Sequence, residues 1–186
     1  MTSLLPRHTN VLVLSGSLRA DAVTTQVASL ALTAGLPDVT ATLAEDLGSL
    51  PLFNADLDTW QPPESVARLR REVADADAVL LLSPANNGSI SAALKNAIDW
   101  LSRPRESPAI QGKPAALIVT GFRVDGVVEH LHLVLEAAGA HVVGSAGRGL
   151  SLKQFGGRHP AEVPAAHEAV AAALAALVSD GQALSV

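Results

Sequence analysis

The chain of 186 residues contains no cysteine. That excludes disulfides, thiolate nucleophiles, iron–sulfur clusters and zinc–thiolate sites together, and it leaves the redox compartment unreadable. Tyrosine is also absent and aromatic residues make up 3% of the chain, too few to stack the bases of a single strand. Basic side chains are in the minority: 13 Lys and Arg against 18 Asp and Glu give a net charge of −5. A nucleic-acid binder usually shows a basic face, so no nucleic-acid partner is expected. Long apolar runs are missing too. A stretch such as Ala78–Leu82 falls far short of the roughly twenty residues that span a bilayer. The opening MTSLLPRHT holds a proline and too short an apolar run for a signal peptide. The expectation is a soluble, cytoplasmic protein with no membrane partner.

What is present points to a packed domain. Hydrophobic residues make up 48% and charged residues 17%, a balance no disordered chain shows. The length suits one domain over residues 1–186, with 1–8 and 181–186 as flexible tails. Five short apolar runs read as strands: Asn10–Leu14, Val39–Leu43, Ala78–Leu82, Ala115–Thr120 and His141–Ser145. The third and fourth are nearly continuous in apolar residues, as parallel strands buried on both faces are. Helical periods lie between them. Val23, Val27, Leu30, Ala31 and Ala34 share one face, as do Val66, Leu69 and Val73. Ile90, Ala93, Leu94, Ala97, Ile98 and Leu101 form a third such set, and Val127, Leu131, Val134, Leu135 and Ala138 a fourth, with Gly139 as a stop signal. Val163 to Val178 reads as a last helix, entered through Pro160 and Pro164 and ended near Gly181. Strict alternation of strand and helix predicts an α/β three-layer sandwich around an open parallel sheet. For five strands the flavodoxin-like order 2-1-3-4-5 is expected. The irregular stretch Ala44–Pro63 is long enough to suggest a functional loop.

In such a sheet a ligand binds beyond the carboxyl ends of the strands, here between the first and third. Three loops therefore matter. The first, Ser15-Gly16-Ser17-Leu18-Arg19, opens a helix. Hydroxyls, free backbone N–H groups and the positive end of a helix dipole meet there, which suits a phosphate. Arg19 adds a permanently charged donor fork, and Thr24 and Thr25 are placed to turn hydroxyls toward the same anion. The same residues equally make a serine-capped turn with a solvated arginine. One glycine is not the G-x-G-x-x-G dinucleotide fingerprint, and no lysine precedes Ser or Thr as in a Walker A loop. The second loop is Ser83-Pro84-Ala85-Asn86-Asn87-Gly88-Ser89. Its amides suit the polar edge of a planar heterocycle; as turn and N-cap residues they also suit a plain turn. The third, Thr120 to Gly126, reads as a strand-to-helix turn. Arg123 within it either supplies positive charge near a nicotinamide's phosphates or is solvated.

Several segments taken together match a family. Gly16-Ser17-Leu18-Arg19, Leu50-Pro51-Leu52-Phe53-Asn54-Ala55-Asp56-Leu57, Pro84-x-x-Asn87-Gly88-Ser89 and the block Leu94–Pro104 resemble the NAD(P)H-dependent FMN reductases, a family with chromate, quinone and azo-dye reductases among its members. The likeness runs through most of the chain and is most specific in the Leu94–Pro104 block. It implies a flavodoxin-like fold that binds FMN noncovalently and takes hydride from NAD(P)H. The first loop would hold the FMN phosphate, with Ser17 and Arg19 at matching positions and Ser15, Thr24 and Thr25 beside them. The second would line the isoalloxazine through Pro84, Asn87, Gly88 and Ser89, with Ala85 and Asn86 between. Thr120 and Gly121 would approach the ring from the other side. A homodimer or homotetramer is implied as well.

The departures from the family pattern are specific. Members commonly read G-S-L-R-x-x-S-x-N, where this chain has Ala22 for the serine and Thr24 for the asparagine. They commonly read P-E-Y-N-x-S, where Ala85 and Asn86 replace glutamate and tyrosine. A hydrogen bond to a charged group is worth about 1.5–3 kcal/mol and an aromatic contact about 0.5–1.5 kcal/mol. Together their loss weakens FMN binding on the order of a hundredfold, which leaves an exchangeable flavin rather than none.

The implied reaction is hydride transfer from the nicotinamide to FMN and on to a small acceptor such as a quinone or free flavin. It asks the protein to stack rings and exclude water, so no acid–base dyad is required and no catalytic side chain is assigned. Two other readings stand beside it: a flavin-binding or carrier module without turnover, and a flavodoxin-like protein whose pocket serves another nucleotide or only a partner subunit. Elsewhere the sequence offers less. His130 and His132 lie two apart on a helix and face different ways. There is no H-E-x-x-H and no G-x-S-x-G elbow, and no metal site is expected. Asp56 and Asp58 read as turn or subunit-contact residues, and Trp60 and Trp100 as core or interface.

Overall fold

The computed structural model describes residues 8–183, without the side chains of 144–146 and 181–183. Five parallel strands, β1 (Thr9–Ser15), β2 (Val39–Leu43), β3 (Ala78–Pro84), β4 (Pro114–Gly121) and β5 (His141–Ser151), form one sheet in the order β2-β1-β3-β4-β5. This is the flavodoxin-like order expected from the strand and helix pattern. The helices are α1 (Val23–Leu32), α2 (Glu64–Asp75), α3 (Ala92–Leu101), α4 (Asp125–Ala137), the single turn α5 (Leu152–Phe155) and α6 (Pro164–Ala183).

Strand residues alternate between two cores because successive side chains leave a strand on opposite faces. Val79 and Leu81 face the layer of α2, α3 and α4, where Val66, Leu94, Ile98 and Leu131 wait. Ala78, Leu80 and Leu82 face α1 and α6, against Val27, Val170 and Leu174. β3 and β4 are central and almost wholly buried, whereas β2 sits at the edge and is half exposed. Among the described residues no helix is long and apolar enough to cross a membrane.

Four features differ from the pattern expected from sequence. β5 runs to Ser151 instead of stopping at Ser145. Its glycines look like breaks in the sequence, but a Cβ at Gly147 would stand 2.6 Å from Val128 Cγ1 and one at Gly149 2.5 Å from Val124 Cγ2. The missing side chains let α4 lie directly on the strand. α6 continues through Gly181 to Ala183, since one helical glycine costs only about 1 kcal/mol relative to alanine. The buried face of α1 is Thr24, Val27, Ala28 and Ala31, so Ala34 lies outside it. The turn α5 was not foreseen; Ser151 and Gln154 close a capping box around its start. Residues 1–7 and 184–186, expected as tails, lie outside the described residues, while His8 reaches Thr40 Oγ1 at 2.8 Å.

The stretch Ala44–Pro63 is a strap with two 3-10 turns, Leu47–Ser49 and Ala55–Leu57. α3 pins it. Trp100 Nε1 and Asn96 Nδ2 both donate to the Pro51 carbonyl, at 2.8 and 2.9 Å, and Phe53 N donates to Asn96 Oδ1 at 2.7 Å. Arg70 from α2 donates to the Trp100 carbonyl and pairs with Asp58 at 2.9 Å. Asp58 is thus a structural ion pair, and Trp100 belongs to the core while Trp60 stays 87% exposed.

Candidate functional site

The first loop leaves β1 under tight constraint. Gly16 N donates to the Leu82 carbonyl at 2.7 Å, and a Cβ on Gly16 would lie 2.5 Å from Ser91 Oγ and 2.9 Å from Leu94 Cβ. Only glycine allows α3 to approach so closely. Ser17 Oγ then accepts from Arg19 N at 3.3 Å, and Thr25 Oγ1 donates to the Arg19 carbonyl at 2.8 Å. These two hydroxyls shape the loop from within.

What the loop leaves open is as informative. Ser15 Oγ is buried without a hydrogen-bond partner among the described residues. The Arg19 guanidinium is exposed and binds no described group. Ala22, the residue before α1, provides no side-chain cap, so the first N–H groups of the helix lack the oxygen that usually satisfies them. Ser15, Ser17, Arg19 and Thr25 border a crevice of about 300 Å³ whose far wall is Leu43–Leu47. The acids on that wall are committed elsewhere: Glu45 pairs with Arg68 at 2.9 Å, and Asp46 accepts from Gly48 N at 2.8 Å. The open positive charge and donors of this crevice suit a phosphate.

Thr24 departs from expectation. It is buried, and its hydroxyl meets Thr120 Oγ1 at 2.6 Å instead of turning into the crevice. The reason is helical phase: Thr24 falls on the core face of α1 and Thr25 on the crevice side. Thr120 and Gly121 are likewise the buried last residues of β4, not an exposed loop. They form the floor. Ala85 N donates to the Thr120 carbonyl at 2.7 Å, and a Cβ on Gly121 would sit 2.6 Å from Ala85 Cβ.

The second loop is more ordered than its composition suggested. Asn86 and Ser89 exchange two backbone hydrogen bonds of 2.9 Å, and Asn87 and Gly88 between them have φ of 51° and 78°. Two positive φ values inside a two-residue connection make a type I′ turn, for which Asn-Gly is the favoured pair. Pro84 and Ala85 are half-buried below it, and Asn86, Asn87 and Gly88 are exposed. The N–H groups of Asn87 and Gly88 bond to no described group. Ser89 Oγ lies 3.1 Å from His130 Nδ1, which ties the turn to α4. His132 instead approaches Glu136 at 3.4 Å, so the two histidines do diverge.

Beyond the turn lies a second hollow of about 570 Å³ between Gly88, the segment Phe122–Val127 and Ser151. Sequence reasoning marked Ala44–Pro63 as a functional loop, which takes in Ala44–Leu47, but did not place Leu43, Val127 or Ser151 at a site. Leu43 and Ser151 arrive through strand register and Val127 through the start of α4, neither of which has a local signature. Among the described residues no three acids or histidines gather as a metal site. Two groups among the described residues titrate away from their usual values, both chiefly through burial: Glu72 is raised and Lys113 lowered. Lys113 Nζ serves the end of α2, donating to the Ala76 carbonyl at 2.6 Å.

Comparison with known proteins bears on this arrangement. A quinone reductase of Pseudomonas putida is 41% identical over 109 residues, 59% of this chain and 58% of that protein. An NAD(P)H-dependent FMN reductase of Pseudomonas aeruginosa is 41% identical over 108 residues, 58% of this chain and 57% of that one. The chain therefore matches less than two thirds of the length of these curated relatives. Among solved structures, the flavoenzyme NAD(P)H:(acceptor) oxidoreductase FerB of Paracoccus denitrificans superimposes with a TM-score of 0.73 at 28% identity, covering 91% of this chain and 97% of that one. Residues 9–154, most of the chain, match the family model described as NADPH-dependent FMN reductase, and the protein belongs to that family.

Proposed function

We propose that the protein binds FMN across the first and second loops and transfers reducing equivalents from NAD(P)H to a small acceptor of the quinone class. The observation that carries this reading is the set of unsatisfied donors in the first crevice: the buried Ser15 Oγ, the free Arg19 guanidinium and the uncapped start of α1. A buried polar atom without a partner calls for an explanation, and a phosphate monoester supplies acceptors for all three. The family and the quinone and FMN reductases among its relatives support the same assignment.

FMN, when bound, supplies the two-electron chemistry. The chain's own part is placement. Ser15, Ser17 and Arg19 would hold the phosphate, with Thr25 bracing the Arg19 backbone from the crevice side. The type I′ turn presents the N–H groups of Asn87 and Gly88 to the polar edge of the ring, with Pro84, Ala85, Asn86 and Ser89 completing that side. Thr24, Thr120 and Gly121 lock α1, β4 and the second loop into one floor. Rigid placement of this kind, with water kept from the reacting rings, is what hydride transfer requires of a protein. Ala22 contributes no cap and Asn86 no aromatic ring, so binding is expected to be reversible, on the order of micromolar. Homo-oligomerisation belongs to the same reading. Leu52 and Trp60 stand 82% and 87% exposed on an otherwise pinned strap, and sedimentation of the purified protein tests it.

Titrating purified protein with FMN tests the central claim. Saturable quenching of flavin fluorescence at one equivalent is expected, followed by FMN-dependent oxidation of NAD(P)H when a benzoquinone is added. Absence of quenching would remove the assignment.

A further inference from the structure

Phe122 and Arg123 stand side by side on the third loop, outside the crevice assigned to the phosphate. The chain has three phenylalanines. Phe53 packs edge-on against Trp100 and Phe155 is buried, but Phe122 is 71% exposed. Arg70 and Arg68 are held by carboxylates, whereas Arg123 has no ion-pair or hydrogen-bond partner among the described residues. Asp125 borders the same hollow and still makes no ion pair with it. Both side chains edge the hollow of about 570 Å³, opposite Gly88 of the turn assigned to the flavin ring. A Cβ added at Gly126 would meet nothing, so the wall is open at that point as well.

A ring and a cation on one rim suit a ligand that carries a flat heterocycle and a phosphate together. Of the two substrate classes in the proposed reaction, only the dinucleotide has both; a quinone offers a ring alone. We propose that Phe122 and Arg123 are the docking residues for the nicotinamide dinucleotide, a heteroaromatic ring resting on Phe122 and a phosphate held by Arg123. This rests on the function proposed above. The guanidinium fork matches a phosphate's paired oxygens, and an exposed aromatic face stacks on a base with little ordering cost.

The decisive experiment compares wild type with Arg123→Ala, Arg123→Lys and Phe122→Ala. Loss of a charge-assisted contact is expected to raise KM for NAD(P)H about tenfold to a hundredfold in Arg123→Ala. FMN affinity, kcat and KM for the quinone should stay within about twofold, and Arg123→Lys should recover part of the loss because it keeps the charge without the fork. Binding of unreactive NADP+ by calorimetry, with and without FMN, should weaken in parallel and lose much of its salt dependence. An unchanged donor KM in an active Arg123→Ala enzyme overturns the assignment, as does a rise in quinone KM instead. Should the wild type neither bind FMN nor turn over, the functional reading fails separately. The NADP+ titrations of wild type and Arg123→Ala then decide this inference alone, equal affinities refuting it.

Discussion

The strap and the crevice rim lie at the same end of the sheet and treat their polar groups in opposite ways. On the strap, side-chain donors are spent on the fold. Trp100, Asn96 and Arg70 between them engage the Pro51 carbonyl, the Phe53 amide, the Trp100 carbonyl and Asp58. On the rim, Ser15 Oγ and the guanidinium groups of Arg19 and Arg123 have no partner among the described residues. Folding selects for satisfied buried groups. A stretch that satisfies itself is scaffold, and the stretch beside it that does not is the one we assign to a ligand. The motif block Leu94–Pro104, the most family-specific part of the sequence, thus holds the strap and, through Leu94, backs Gly16 of the first loop, but lines neither crevice.

The comparison breaks first at Trp100. Its side chain is fully buried and stacks edge-on with Phe53 at 5.0 Å. Trp100→Ala should cost about 3–5 kcal/mol of stability, read as a lower urea midpoint at unchanged slope. A loss below about 1 kcal/mol would mean the strap is held by something else. On the rim the pattern should invert. Arg19→Ala should weaken FMN binding by about 1.5–3 kcal/mol in a fluorescence titration while the urea midpoint moves by less than about 0.5 kcal/mol. An arginine whose removal costs stability and spares FMN would belong with the scaffold.

These two residues also show what the sequence could and could not reveal. The alternation of apolar runs was enough for strand order, because β3 and β4 are buried on both faces and the helices between them keep a clean period. Phosphate-type donors after β1 were legible because strand, glycine, serines and arginine are consecutive. Thr24 was misjudged, since one residue of helical phase decides between core and crevice and α1 buries small residues whose pattern is shallow. The order of the second loop was hidden for another reason: Asn-Gly announces a type I′ turn only when flanking residues pair, and that pairing of Asn86 with Ser89 is set by how β3 meets α3. Of the far walls, Leu43 and Ser151 come from neighbouring strand ends separated by a whole helix in sequence, whereas Ala44–Leu47 lies in the long stretch the sequence did mark.

The turn itself offers a sharper cut between scaffold and site. Gly88 has φ of 78° and open space where a Cβ would go. Gly88→Ala therefore tests backbone conformation without a clash, and should cost about 1 kcal/mol in the same urea assay. If the turn's N–H groups serve the flavin ring, FMN affinity should fall as well; a variant that loses stability and keeps its full affinity would move the turn to the scaffold side.

The smallest effect concerns the scaffold's own imperfection. Glu72 on α2 borders a narrow notch with Glu45, Asp46 and Arg68 where the strap begins. Burial, the largest cause, raises its pKa above 4.5, and the neighbouring Glu45 charge adds to this; a backbone hydrogen bond from Glu45 and the charges of Arg68 and Arg71 oppose it. A raised folded-state pKa means the native protein binds more protons than the unfolded chain once pH climbs past 4.5, so stability falls across that window and does not return above it. Glu72→Gln removes the titrating charge. At pH 7 the variant should gain up to about 0.5 kcal/mol over wild type, and the gain should vanish at pH 3, where both states of the wild type are largely protonated. Paired urea titrations at the two pH values measure this. A variant less stable than wild type at pH 7 would show that Arg68 and Arg71 outweigh burial, and that even this corner of the strap is fully satisfied.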